Sequence, residues 1–211
     1  MKNIERLVEK LAADAVVVRP APHPFALGLK WMGAAAAYLA VLLALTGLRP
    51  DLMEKFGEPW FAAEIALLLG IFVAATLSAA LLAFPDLHQK RGAAWKPAAM
   101  MALFIAVIFF AWNADDPPSP LPSHTFECTL SIVLVALLPA IWTLHAMRGY
   151  ASTHYRTAGS IVLLAAFSVG ALWLRLHEVN NSVFHMIQWH YLPMLAAGLI
   201  GLWVGRLVLK W

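Results

Sequence analysis

Six long apolar stretches take up most of the 211 residues and constrain what this chain can become. They cover about residues 28–48, 61–84, 95–113, 127–147, 157–177 and 189–209. A bilayer core about 30 Å thick is crossed by a helix of roughly 20 apolar residues. Lipid offers no partner to backbone N–H and C=O groups, so a spanning stretch satisfies them internally, as a helix. The expected fold class is therefore all-α, a polytopic membrane protein built as a bundle of six transmembrane helices. Charged residues make up only 13% of the chain, against about 25% in soluble domains. Outside the spans lie a tail of residues 1–27 and five short loops.

The basic residues alternate between the two sides of this arrangement. Lys2, Arg6, Lys10 and Arg19 lie in the tail, Lys90, Arg91 and Lys96 at the second loop, and Arg148 and Arg156 at the fourth. Arg206 and Lys210 end the chain, while the third loop (113–127) and the fifth (178–188) contain neither Lys nor Arg. The positive-inside rule then puts both termini in the cytoplasm. No cleaved leader is expected, because the first apolar run follows a long charged tail and has full spanning length.

Ile4, Leu7, Val8 and Leu11 are spaced i, i+3, i+4 and i+7, and Lys2, Glu5, Arg6, Glu9 and Lys10 fill the intervening positions. This is the stripe of a short amphipathic helix. Roughly ten residues make a marginal helix unless it docks on something. The stripe suits a partner, the lipid interface or the underside of the bundle. Pro20, Pro22 and Pro24 follow and make a semi-rigid spacer between this helix and the first span.

Small residues recur in the spans, most regularly as Ala197, Gly201 and Gly205. That spacing allows close helix approach within the bundle, with a dimer seam as the alternative. Pro139 and Pro193 fall inside spans four and six, where they interrupt helical hydrogen bonding. Trp31, Trp60, Trp95, Trp189, Tyr191 and Trp211 lie near span ends and read as an interfacial aromatic belt.

The alternation of spans sorts the reactive side chains. His23, His88, His145 and His154 fall on the side of the termini, and His124, His177, His185 and His190 on the outer side, with Asp115, Asp116 and Glu127. Cys128, the only cysteine, opens span four, while His177 and Glu178 close span five at the same outer depth. Thiolate, imidazole and carboxylate all ligate zinc or copper. Cys128, His177 and Glu178 with His185 or His190 are the candidate ligands. Cys128 is also a candidate for oxidation if it is exposed on that side. Glu64 lies near the outer end of span two, where Arg49 or Arg175 is in reach. It suits a structural ion pair or the proton relay of a small transporter. A six-helix haem or quinone carrier needs imidazoles on facing helices, whereas these histidines cluster at helix ends and in loops.

Several segments carry a family resemblance. ERLVEKLAAD, the following RP, a first span ending in GLRPDL, ECTLSIVLVALLPAIWTLHAMRG, LRLHE and FHMIQWHYLPML, in this order, resemble the NrsF-type anti-sigma factors. These are six-span inner-membrane proteins that restrain an extracytoplasmic-function (ECF) sigma factor, and the likeness covers nearly the whole chain. The resemblance implies a non-enzymatic regulator without a resident cofactor or direct nucleic-acid contact. It makes residues 1–27 a cytoplasmic sigma-binding segment and spacer, with Ile4, Leu7, Val8 and Leu11 as the binding face, and 28–211 the membrane domain. It also implies that Cys128 matches the first of two outward-facing cysteines linked to oxidative or metal stress. The second follows Leu-His at the end of span five, and here that position is Glu178. An intramolecular disulfide is thereby lost. Signalling through Cys128 would proceed by oxidation, a mixed or dimer disulfide, or zinc or copper coordination with His177 and Glu178.

Overall fold

The computed structural model describes residues 2–14, 20–85, 91–114 and 126–210. Helix α1 spans Lys2–Ala13 and α2 Pro24–Thr46; a single turn, α3, covers Leu52–Lys55. Helices α4 (Pro59–Leu82), α5 (Arg91–Ala114), α6 (Phe126–Met147) and α7 (Tyr155–His177) follow. The last span is composite: α8 (Val183–Met186), a π turn (Ile187–Tyr191) and α9 (Leu192–Val208). Six of these segments are long and apolar enough to cross a membrane, and the described residues contain no strand. His88, Asp115, Asp116 and His124 lie outside the described residues.

The span boundaries agree with the expected ones within a few residues, except the sixth, which starts at Val183. Ser182 opens it by accepting a hydrogen bond from the His185 backbone N–H, a standard way to satisfy an orphan donor at a helix start. Pro24 and Pro59 stand in the first turns of α2 and α4, where the missing N–H loses nothing.

Helix α7 is the axis of the bundle. It packs against α9, α4, α6 and α2, whereas α5 lies outside, against α4. The α7–α9 contact is set by glycine. A Cβ on Gly205 would run into the Tyr155 carbonyl oxygen, and one on Gly159 into the backbone of Gly201 and Gly205. Backbone meets backbone there, so no side chain can swing aside to relieve a larger residue. Gly205→Val is expected to destabilise the protein by on the order of 3 kcal/mol, the upper end for overpacking. Gly198→Ala, whose new methyl would meet only Leu164 Cδ1 at 3.9 Å, is the near-neutral comparison. Thermal unfolding in detergent reads both.

Two prolines leave carbonyls that another helix satisfies. Pro139, inside α6, has no N–H for Val135 O, and Tyr38 Oη of α2 donates to that oxygen at 3.1 Å. Pro193, just after the π turn, likewise leaves Trp189 O, and Thr129 Oγ1 of α6 donates to it at 2.7 Å. Buried carbonyls rarely go unpaired, and each such bond contributes roughly 0.5–1.5 kcal/mol net.

The aromatic belt is only partly interfacial. Trp60 and Trp95 are exposed, but Trp31 is 2% and Tyr191 4% exposed. Trp31 enters the core beside Ala75, Ala79 and Ala80, where small residues leave room for an indole. Tyr191 packs edge-on against Phe104 at 4.8 Å. Trp211 lies outside the described residues.

Candidate functional site

Polar side chains concentrate at one end of the bundle. Arg49, Glu64, Arg175, Ser182, His185 and His190 are all buried there, held by the end of α2, the start of α4, the end of α7 and the α8–π segment. Glu64 pairs with Arg175, whose Nε donates to Oε1 at 2.9 Å and Oε2 at 3.0 Å. Arg175 Nη1 donates to Asn180 O at 3.0 Å. Its guanidinium lies 4.6 Å from the Phe61 ring centre, and Arg49 lies 5.4 Å from the same centre. Arg49 pairs with Asp51 through two hydrogen bonds of 2.7 and 2.8 Å. Those bonds, with the guanidinium charge, hold the Asp51 carboxyl at about 2. Arg49 also reaches Asn181 Oδ1 at 3.0 Å, and its backbone N–H donates to Leu176 O at 2.9 Å. The loop after α2 is thus tied to the end of α7.

Beside this lattice, Cys128, Glu178, His185 and His190 form a compact group. Their ligating atoms all lie within 4.8 Å of one another. Cys128 sits in the first turn of α6, and its Sγ is 3.7 Å from both Glu178 carboxylate oxygens. Glu178 is the residue at which α7 stops. Its backbone is extended (φ −84°, ψ 139°), so its side chain leaves the helical path and turns toward α6. His190 Nε2 is 3.3 Å from Glu178 Oε2, and His185 Nε2 is 3.8 Å from Oε1. These are ion-pair distances for protonated rings, but no ring nitrogen of either histidine makes a hydrogen bond of good geometry. Burial pushes the Glu178 carboxyl up; the contact and charge of His190, the charge of His185 and the Cys128 thiol outweigh it and hold the group below its ordinary value.

The π turn brings the two histidines together. Five residues apart on a regular helix they would sit about 140° apart around the axis. The extra residue of the π turn offsets this, and the rings meet with centres 5.2 Å apart, edge to face. Such turns recur at functional sites.

The expected ligands are therefore divided. Cys128, Glu178 and both His185 and His190 converge; His177 does not. Its ring stacks on Trp173 at 5.4 Å, and Nδ1 lies 2.9 Å from Gly47 O. Cys128 itself is 8% exposed, a buried thiol rather than an open one, because Ile132, Val135, Trp173 and Leu174 pack beside it. Both rings come from the same span and meet edge to face, so His185 and His190 do not flank a haem plane between them.

The other candidate face is α1. Ile4, Leu7, Val8 and Leu11 are 67, 56, 59 and 63% exposed, so among the described residues the stripe is left largely uncovered. At 12 residues, with charges on its other side, α1 is too short to span a bilayer.

A family described as "Negative regulator of sigma F" matches residues 11–211. The "Anti-sigma-F factor NrsF" of Caulobacter vibrioides (strain NA1000 / CB15N) is 33% identical, over 97% of this chain and 98% of its own length. The "Probable anti-sigma-F factor NrsF" of Azospira oryzae is 27% identical, over 98% of this chain and 99% of its own. No solved structure matches. With its six spans and its rim of thiol, carboxylate and imidazole, this chain belongs to the NrsF family of negative regulators of sigma F.

Proposed function

We propose that this anti-sigma factor is an integral protein of the bacterial inner membrane that holds an ECF sigma factor at the cytoplasmic face. The observation that carries this reading is the uncovered apolar stripe of α1, presented on a membrane-anchored chain behind a proline spacer. Basic residues in the tail, at loops two and four and near the C-terminus support cytoplasmic termini. The polar end containing Cys128 then faces the periplasm. A periplasmic oxidative or metal stress signal acts there and shifts the bundle, and the tail binds the sigma factor less well. A signal moves such an equilibrium only by its differential free energy for the two states. A tenfold loosening requires about 1.4 kcal/mol, within reach of one new charge or metal bond.

Capture tests the reading. The tagged full chain, extracted in detergent from its native cells, is expected to retain an ECF sigma factor identifiable by mass spectrometry. Recovery of the chain with no sigma factor under unstressed conditions would defeat the proposal.

A further inference from the structure

The group at the outer end has the composition and dimensions of a metal site. A tetrahedral zinc ion with ligands at about 2.0–2.3 Å sets its ligand atoms roughly 3.3–3.8 Å apart. The separations to Glu178 are 3.3 Å from His190 Nε2 (to Oε2), 3.7 Å from Cys128 Sγ (to either oxygen) and 3.8 Å from His185 Nε2 (to Oε1), and all four ligating atoms lie within 4.8 Å of one another, so binding would draw the widest pair inward. Independently, His185 and His190 are 0% and 1% exposed, and all four of their ring nitrogens are buried without a hydrogen bond. Burying an imidazole without hydrogen bonds is unfavourable, and a metal ion bound at each Nε2 would satisfy one nitrogen of each ring, where the protein offers only the Glu178 carboxylate at 3.3 and 3.8 Å. We propose that Cys128, Glu178, His185 and His190 form a closed tetrahedral site for Zn(II).

Charge and softness select this ion. Binding displaces the Sγ proton to solvent, leaving a Zn–S bond and no change of oxidation state. Thiolate and carboxylate then carry two negative charges, which neutralise a dication among side chains that are buried except for the partly exposed Glu178. A monovalent copper ion would leave one negative charge buried, and it favours thiolate and thioether over carboxylate. The ligands come from the start of α6, the end of α7 and the α8–π segment, so the ion would tie three elements together at the rim. That it acts as the signal rests on the regulator reading above; that it binds does not.

The test uses the full-length chain in detergent, freed of metal and titrated with Co(II) as a spectroscopic stand-in. One equivalent is expected to give the intense visible bands of tetrahedral cobalt and a near-ultraviolet thiolate-to-cobalt band, both bleached by Zn(II). Weak octahedral bands, no thiolate band, or no displacement by Zn(II) would overturn the proposal with the unmutated protein alone. Cys128→Ser is expected to abolish the thiolate band. In competition with a chromophoric chelator, His190→Ala is expected to weaken Zn(II) binding at least tenfold, while His23→Ala at the opposite end leaves it unchanged. Equal affinity in His190→Ala and the parent also overturns it. No sigma factor enters these measurements, so zinc binding without sigma capture, or the reverse, separates the two readings.

Discussion

Leu7→Asp combined with Leu11→Asp is expected to abolish sigma-factor capture while leaving the membrane domain folded. Each leucine stands more than half exposed on α1, so the free protein gives up little when either is changed. In the proposed complex the same side chains would be buried. Burying a large aliphatic side chain contributes roughly 1.5–3 kcal/mol, and a carboxylate in its place adds a desolvation penalty. Two such changes together remove on the order of 3–6 kcal/mol, a factor of about 10² to 10⁴ in affinity. Glu5→Gln with Glu9→Gln, on the polar side of the helix, is the comparison that should bind nearly as before. Affinity is read with purified sigma factor and the detergent-solubilised chain, and an unchanged unfolding temperature shows that the bundle is intact. Undiminished capture by the double aspartate variant would remove the tail from the mechanism.

The second large effect is expected at the Glu64–Arg175 pair. Both side chains are 5% exposed, and Arg175 Nε contacts both carboxylate oxygens. Replacing one partner strands the other charge in a low-dielectric layer, which typically costs about 3–5 kcal/mol. Arg175→Leu should therefore unfold at markedly lower temperature, or fail to accumulate in membranes. Replacing both, as Glu64→Leu with Arg175→Leu, leaves no orphan charge, and most of the lost stability should return. Equal loss in the single and double variants would show that the pair does not act as a unit. The same geometry bears on a transporter reading: Glu64 is engaged through both oxygens by a guanidinium, which leaves little of it to relay protons.

Much of this architecture is legible in the sequence because lipid imposes simple rules. Apolar length fixed the first five spans to within a few residues, and the i, i+3, i+4, i+7 spacing located α1. The sixth span begins earlier than hydropathy suggested because His185, Gln188 and His190 lower the local average, yet the π turn folds both histidines inward. That turn has no evident signature in composition. The separation of His177 from Glu178 was equally hidden. Neighbours in sequence, they diverge because α7 ends between them, and only one follows the extended backbone toward Cys128. His177 instead stays over Trp173, one helical turn back. Trp31 misled because position near a boundary says nothing about the alanines on the facing helix. Arg49, a candidate partner of Glu64, is 2% exposed and pairs with Asp51 instead; its signal was Asp51 two residues on, a partner able to accompany it inward.

The hydroxyls that answer the two prolines have a mechanical consequence. Tyr38 joins α2 to mid-α6, and Thr129 joins the start of α6 to the π turn. Each bond is short-ranged and directional, so sliding α6 lengthwise by a single residue, about 1.5 Å, would break both. Rotation about the two fastened points breaks neither. If the proposed signal moves α6 against its neighbours, a swivel of pinned rods keeps both bonds where the stroke of a piston would lose both.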